Sequence, residues 1–196
     1  MSKAKWKGTT LMAPVPPVMV TCGDLDNPNV LTIAWTGILN SQPPKTYISV
    51  RPERYSYNLI KNSGEFVINL TTTHMVRIAD WCGVKSGKDV NKIELQNLEL
   101  EPATELSAPM LAASPVNLEC KVSEIIPLGT HHMFIADIVA VNVEEKYIDD
   151  KGKLHLEQCS LATYAHGDYF APGKKIGSFG FSVKKKRTKP TGKKRK

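Results

Sequence analysis

Short apolar runs with a two-residue alternation recur along the chain between turn residues, and helical periodicity is confined to a few brief stretches. An extended proline-rich segment (Pro14, Pro16, Pro17) leads into a short strand from Val18 to Thr21. Gly23-Asp24 through Asp26-Asn27-Pro28-Asn29 is a dense turn signal. Val30 to Thr36 follows, rich in β-branched and aromatic residues, and reads as one strand. Leu31, Ile33 and Trp35 share one face of it. Val30, Thr32, Ala34 and Thr36 share the other, a small and partly polar face that leaves room for a close approach to the backbone. Asn40 to Pro44 predicts a loop, and Thr46 to Val50 another strand.

A helix is expected from Pro52, which suits the first helical position, to Asn62, with Gly64 as its left-handed cap. Tyr55 and Leu59, four residues apart, would cover one face of it. Glu65 to Leu70 is a strand with Phe66, Ile68 and Leu70 pointing one way, and a short helix from about His74 to Trp81 is ended by Gly83. Lys85 to Lys92 is a polar loop, and residues 94–113 mix helix and loop. Pro115 to Ile126 and His132 to Tyr147 are two further strands. The second is apolar on both faces, as expected of a strand covered by the core on one side and by a partner or helix on the other. Asp149 to Lys153 is a hairpin turn before a short strand from about Leu154. Half a dozen strands with brief helices predict a mainly β, antiparallel barrel. Neither a repeated β-helix-β period nor a Gly-rich nucleotide loop of the G-x-G-x-x-G or G-x-x-x-x-G-K-[ST] type is present, which argues against a Rossmann or P-loop fold.

Composition changes this picture only at one end. A chain of 196 residues favours one domain, with two small ones as the alternative. The net charge of +7 suggests nucleic acid until it is located. Residues 184–196 hold nine basic residues and no acids, and removing these nine from the 26 leaves 17 basic against 19 acidic residues, so residues 1–183 carry −2. We therefore expect a folded domain over 1–183 and a disordered basic tail over 184–196. That tail serves either as a solubilising end or for weak, sequence-independent contact with nucleic acid or an acidic surface. Cys22, Cys82, Cys120 and Cys159 are far apart and show no zinc-ligand spacing, so no metal is expected and the thiols read as reduced, in the cytoplasm. No run has the length of a membrane helix. Prolines interrupt the apolar stretch from Leu11 to Val20, against a secretory leader.

The chemically informative stretch is residues 51–56. A helix start exposes unpaired N–H groups and partial positive charge, yet Arg51 and Arg54 sit there with only Glu53 to offset them. A phosphate bound by those amides, the two guanidinium forks and the Ser49 or Ser56 hydroxyl would remove the conflict. The same spacing also fits two arginines that are solvated or paired with surface carboxylates.

The run from Asn29 to Gly37, then Pro43-Pro44, Ile48 to Ser56 and Gly64 to Leu70, resembles the flavin reductase-like family, flavoredoxins most of all. Ser86-Gly87 to Lys92, Gly129-Thr130-His131 and Gly173 to Ser182 extend the resemblance over roughly residues 10–182. It implies an FMN-binding split β-barrel, antiparallel and Greek-key-like with a few short helices, working as a homodimer with the flavin near the subunit interface. It also implies that Thr32, Ile33, Ala34, Trp35 and Thr36 line the flavin ring, and that Ser49, Val50, Arg51, Arg54 and Ser56 take the phosphate. Lys92 would be a further basic contact, and His131 would stand near flavin and nicotinamide. Each has a plainer reading: Trp35 as core, Thr32 and Thr36 as β-formers, His131 as a polar residue at a surface turn, Lys92 as a solvated lysine. His166 is not expected at the ring.

The function implied is an oxidoreductase, either an NAD(P)H:flavin reductase or a flavoredoxin-like electron carrier fed by a nicotinamide or protein donor. No nucleophile or acid–base triad is needed and none is found, so no residue is assigned as catalytic. Two readings compete: a binding module that uses the basic tail, and a related split barrel that takes another flavin or a haem-like ligand.

Overall fold

The alternation resolves into a single seven-stranded antiparallel sheet, and the order of its strands forces it to close. The computed structural model describes residues 1–184. In chain order the elements are β1 (Val18–Cys22), β2 (Asn29–Ile33), β3 (Thr36–Ser41), β4 (Pro44–Val50), α1 (Tyr55–Ser63), β5 (Glu65–Leu70), α2 (Val76–Val84) and α3 (Lys92–Leu95). There follow β6 (Leu100–Glu101), β7 (Met110–Leu111), β8 (Val116–Pro127), β9 (His132–Val143), β10 (Thr163–Ala165) and β11 (Asp168–Phe170). The large sheet runs β2-β1-β5-β8-β9-β4-β3. Its two edges, β2 and β3, are separated in sequence only by Ala34 and Trp35. In a flat sheet they would lie about 29 Å apart, six spacings of about 4.8 Å. The step from Ile33 to Thr36 reaches at most about 11 Å. The sheet must therefore curl into a barrel with a split at the bend, and the Ser49 amide donates to the Trp35 carbonyl there (3.0 Å). α1 carries the chain from β4 to β5, leaving β8 and β9 to be inserted between them, a Greek-key-like order.

Inside the barrel lie Val18, Val20, Leu31, Ile33, Ile48, Val50, Phe66, Ile68 and Phe134, plugged by Tyr57 and Ile60 of α1. A second cluster, Met19, Val30, Ala79 and Cys82, packs α2 on the outside of β1 and β2. α2 is thus the body that approaches the small face of the β2 strand. A side chain on Gly83 would sit only 3.2 Å from Thr32 Cβ, so this glycine is the close packing point of the helix rather than its stop.

Several sequence expectations shift. The strand expected over residues 30–36 is broken at Ala34-Trp35 because the chain crosses there from one sheet edge to the other. The loop expected at 40–44 shrinks to a tight turn between β3 and β4. α1 starts at Tyr55, not Pro52: the Arg54 amide bonds to the Arg51 carbonyl in a preceding turn (3.0 Å), and Arg54 itself stays extended at φ −69°, ψ 134°. Its buried face is Ser56, Tyr57 and Ile60, with Tyr55 exposed, while Gly64 does take the left-handed cap at φ 70°. The short helix runs Val76–Val84. β9 ends at Val143 and gives way to a 3-10 turn at Glu145–Tyr147, and the strand expected from Leu154 is a single bridge to Ile148. β9 is covered on its inner face only: Phe134 and Ala136 are fully buried, whereas Val139 and Val141 are about half exposed.

The stretch 94–113 is held from below. Glu119 of β8 is fully buried, and its carboxylate accepts from the Thr104 amide (2.8 Å) and hydroxyl (2.6 Å), the Glu105 amide (2.8 Å) and the Asn142 side chain (2.7 Å). All four cysteines are buried and unpaired. Among the described residues no helix is long and apolar enough to cross a membrane, and no His, Cys, Asp and Glu group is arranged to hold a metal ion. Apart from Lys184, the expected basic tail lies outside the described residues.

Candidate functional site

The split in the barrel opens into a cleft of about 280 Å³. The end of β2 and the bend supply Thr32, Ile33, Ala34 and Trp35; the end of β4 supplies Ser49 and Val50, followed by Arg51 and Arg54. His131, just before β9, stacks against Trp35 with ring centroids 4.4 Å apart and planes tilted by 38°. Burial, with Arg51 nearby, holds His131 below the ordinary histidine value, favouring the neutral ring.

Arg51 and Arg54 also border a second pocket of about 290 Å³, which holds Ser56 and Lys92 together with Tyr55, Lys85, Ser86 and Gly87. Four cationic side chains, Arg51, Arg54, Lys85 and Lys92, thus face one carboxylate, Glu53. α1 begins at this pocket with no side-chain cap and no acid in its first turn, leaving the partial positive charge of its start uncompensated. Thr36 is the exception among the expected residues. Its hydroxyl donates to the Tyr47 carbonyl (2.6 Å), and it lines a separate groove beyond Trp35 with Met12, Val15 and Tyr47.

The arginines are less free than their spacing suggested. Arg54 donates to the Gly83 carbonyl (2.9 Å), and the nearly buried Lys92 donates to the Val30 (2.8 Å) and Cys82 (2.7 Å) carbonyls. Both cations therefore neutralise the negative end of α2. Among the described residues the Arg51 side chain bonds only to Glu53 (3.3 Å), and both are well exposed. The conflict read at the helix start is thus partly relieved within the protein, Arg54 by a backbone carbonyl and Arg51 by Glu53. It leaves Arg51 with unused donors and Lys92, with three N–H groups, with one. Burial pushes the Lys92 ammonium below the ordinary lysine value. Ser56 Oγ accepts from Asn29 Nδ2 (2.5 Å), which ties α1 to β2, and the Thr32 hydroxyl donates to the Ala79 carbonyl, which ties α2 to the same strand.

Residue-by-residue reading missed one wall of the cleft: Pro17, Asp80, Val84, Tyr164 and Tyr169. The two tyrosines come from β10 and β11, which pair antiparallel across a tip at His166 and Gly167. The His-Gly turn between Tyr164 and Tyr169 was the available signal. His166 is at that tip and does not line the cleft.

A slot walled by backbone and aromatic rings, bordered by a pocket of arginine, lysine, serine and helix-start amides, suits a planar ring carrying a phosphate. The sequence profile described as "Flavin reductase like domain" matches residues 12–171. Among solved structures the fold is similar to flavoredoxin of Desulfovibrio vulgaris (Miyazaki F), at 30% identity and a TM-score of 0.86, over 93% of this chain and 100% of that one. It is similar to flavoredoxin from Methanosarcina acetivorans at 26% identity and 0.85, over 94% and 100%. An FMN-binding protein from Thermus thermophilus shares the fold at 22% identity and 0.75, over 91% and 99%.

Proposed function

The chain belongs to the flavin reductase like domain family, and from that premise we propose that it is an FMN-binding oxidoreductase that passes reducing equivalents from NAD(P)H or a protein donor to an acceptor. The observation that supports the choice of FMN is the cationic pocket at the start of α1, which shares Leu31, Arg51 and Arg54 with the slot beside Ile33, Ala34 and Trp35. FMN, when bound, supplies the hydride and electron chemistry. The protein supplies placement. Arg51, the free donor of Lys92, the Ser86 side chain and the α1 amides bind the phosphate, with Arg54 braced against Gly83. Ser49, Val50 and Ser56 shape the corner. The backbone from Thr32 to Trp35 would line the ring, and the Trp35–His131 stack would shield it from water and present a neutral imidazole.

The proposal includes two copies acting together, supported by the half-exposed Val139 and Val141 on the outer face of β9. It also includes a cytoplasmic location, which suits four buried, reduced thiols. The test is to titrate purified protein with FMN and then reduce the complex anaerobically with NADH and NADPH in turn. We expect a yellow, stoichiometric complex that at least one donor bleaches. A colourless protein that takes up no FMN overturns the reading. Deleting residues 184–196 is expected to leave FMN uptake and reduction intact.

A further inference from the structure

The cleft is electrostatically lopsided. Its arginines stand where it meets the cationic pocket, whereas Asp80 is the one carboxylate among its lining residues. Asp80 lies on α2 three residues before Gly83, whose carbonyl takes Arg54. It is therefore displaced about 4.5 Å along the helix axis, away from the cationic end. Two contacts fix it. The neighbouring Ala79 carbonyl accepts from Thr32, which locks that turn of α2 onto the strand beside the slot. From the other side, the Tyr169 hydroxyl donates to Asp80 Oδ1 (3.3 Å). Tyr169 is itself braced edge to face by Tyr164 at 5.1 Å, and Tyr164 is pinned through paired backbone bonds with Val15 (2.9 and 2.8 Å). A solvent-exposed carboxylate, bonded by Tyr169, thus stands on the cleft wall away from the cationic end, and neither phosphate binding nor ring shielding uses it.

Its consequence follows from charge. Uptake of two electrons and one proton turns the neutral ring system of FMN into a reduced form with one additional negative charge. A fixed carboxylate disfavours that form relative to the oxidised one. We propose that Asp80, positioned by Tyr169, lowers the reduction potential of the bound flavin and so makes the reduced protein a stronger electron donor. The inference rests on the FMN reading above.

The test is the potential of FMN-loaded protein, measured by equilibration with reference dyes under dithionite or an enzymatic reductant, together with the affinity for oxidised FMN. In Asp80→Asn the affinity ratio of reduced to oxidised FMN is expected to rise about threefold, the order for a unit charge on an exposed side chain that water and salt partly screen. That ratio converts to about 14 mV upward for a two-electron couple. Asp80→Glu keeps the charge and should stay near wild type. Tyr169→Phe frees the carboxylate to turn into water and should move the potential upward by less. Adding it to Asp80→Asn should give no further change, as expected for two residues acting as one unit. A ratio unchanged in Asp80→Asn, or moved equally by Asp80→Glu, overturns the inference while leaving the FMN reading intact. Wild-type protein that takes up no FMN overturns both.

Discussion

Removing the Arg51 guanidinium separates phosphate recognition from ring recognition more cleanly than any other change at the site. Arg51 follows β4 and borders both the ring slot and the cationic pocket, and its one side-chain partner is Glu53 at 3.3 Å. That pair is exposed on both sides, so water and salt screen it and its loss leaves the fold nearly as stable as before. Arg54 and Lys92 are poorer choices, because each also holds α2 carbonyls and its removal would loosen the helix. In Arg51→Ala the phosphate loses one charged, forked donor, and FMN affinity is expected to fall about ten- to a hundredfold. Riboflavin has the same ring system without the phosphate, so its affinity should move by no more than about twofold on the same reasoning. Titration of both ligands by flavin fluorescence, with thermal melts in parallel, makes the comparison. The salt dependence of FMN binding should also flatten in the variant. Equal losses for FMN and riboflavin would refute the phosphate role of Arg51, as would an unchanged FMN affinity with melts intact.

Two other changes probe how the site is supported. Glu119→Gln replaces a buried acceptor that four donors face, leaving a donor against a donor, and should cost about 3 kcal/mol in urea unfolding. Burial opposes the charged form of Glu119, but the bonds from Thr104, Glu105 and Asn142 outweigh it and hold the carboxyl below its ordinary range. Its stabilisation is therefore complete above the ordinary glutamate range and is lost as pH falls through the depressed folded value, where the unfolded chain already binds the proton. The stability gap between wild type and Glu119→Gln should thus narrow in acid, and a gap that widens below pH 4 contradicts the assignment. Gly87→Ala would bring a methyl within 2.7 Å of Tyr55 Cδ1 and against Asn29 Oδ1. Because Asn29 also holds Ser56, the clash should reach the cationic pocket and weaken FMN about tenfold, the size of a modest overpacking strain. FMN affinity at the wild-type level would show that the loop yields freely.

Local features of the chain were legible where local physics decides. The alternation of Phe66 and Ile68, the turn at 23–29 and the left-handed cap at Gly64 depend on neighbours a few residues away, and they appear in place. The same holds for the grouping of β2 residues with the end of β4, because the resemblance was read on contiguous runs that meet at the barrel split. Element boundaries shifted where a distant contact intervened: α2 passes through Gly83 because it packs on Thr32, and β2 stops at Ile33 because the chain must reach the opposite sheet edge.

The sequence by itself determined a mainly β antiparallel body, a −2 charge on residues 1–183, and the residue types that meet at the barrel split, Arg51 and Arg54 beside residues 32–35. Only the tertiary structure decided what those residues spend their hydrogen bonds on. Arg54 and Lys92 are turned to the carbonyl end of α2, and Asp80 and Tyr169, 89 positions apart, meet on one wall of the cleft. The physical reason is that hydrophobic period reports only which face of a strand or helix is buried, whereas the partner of a polar group is set by which segments the closing barrel brings together.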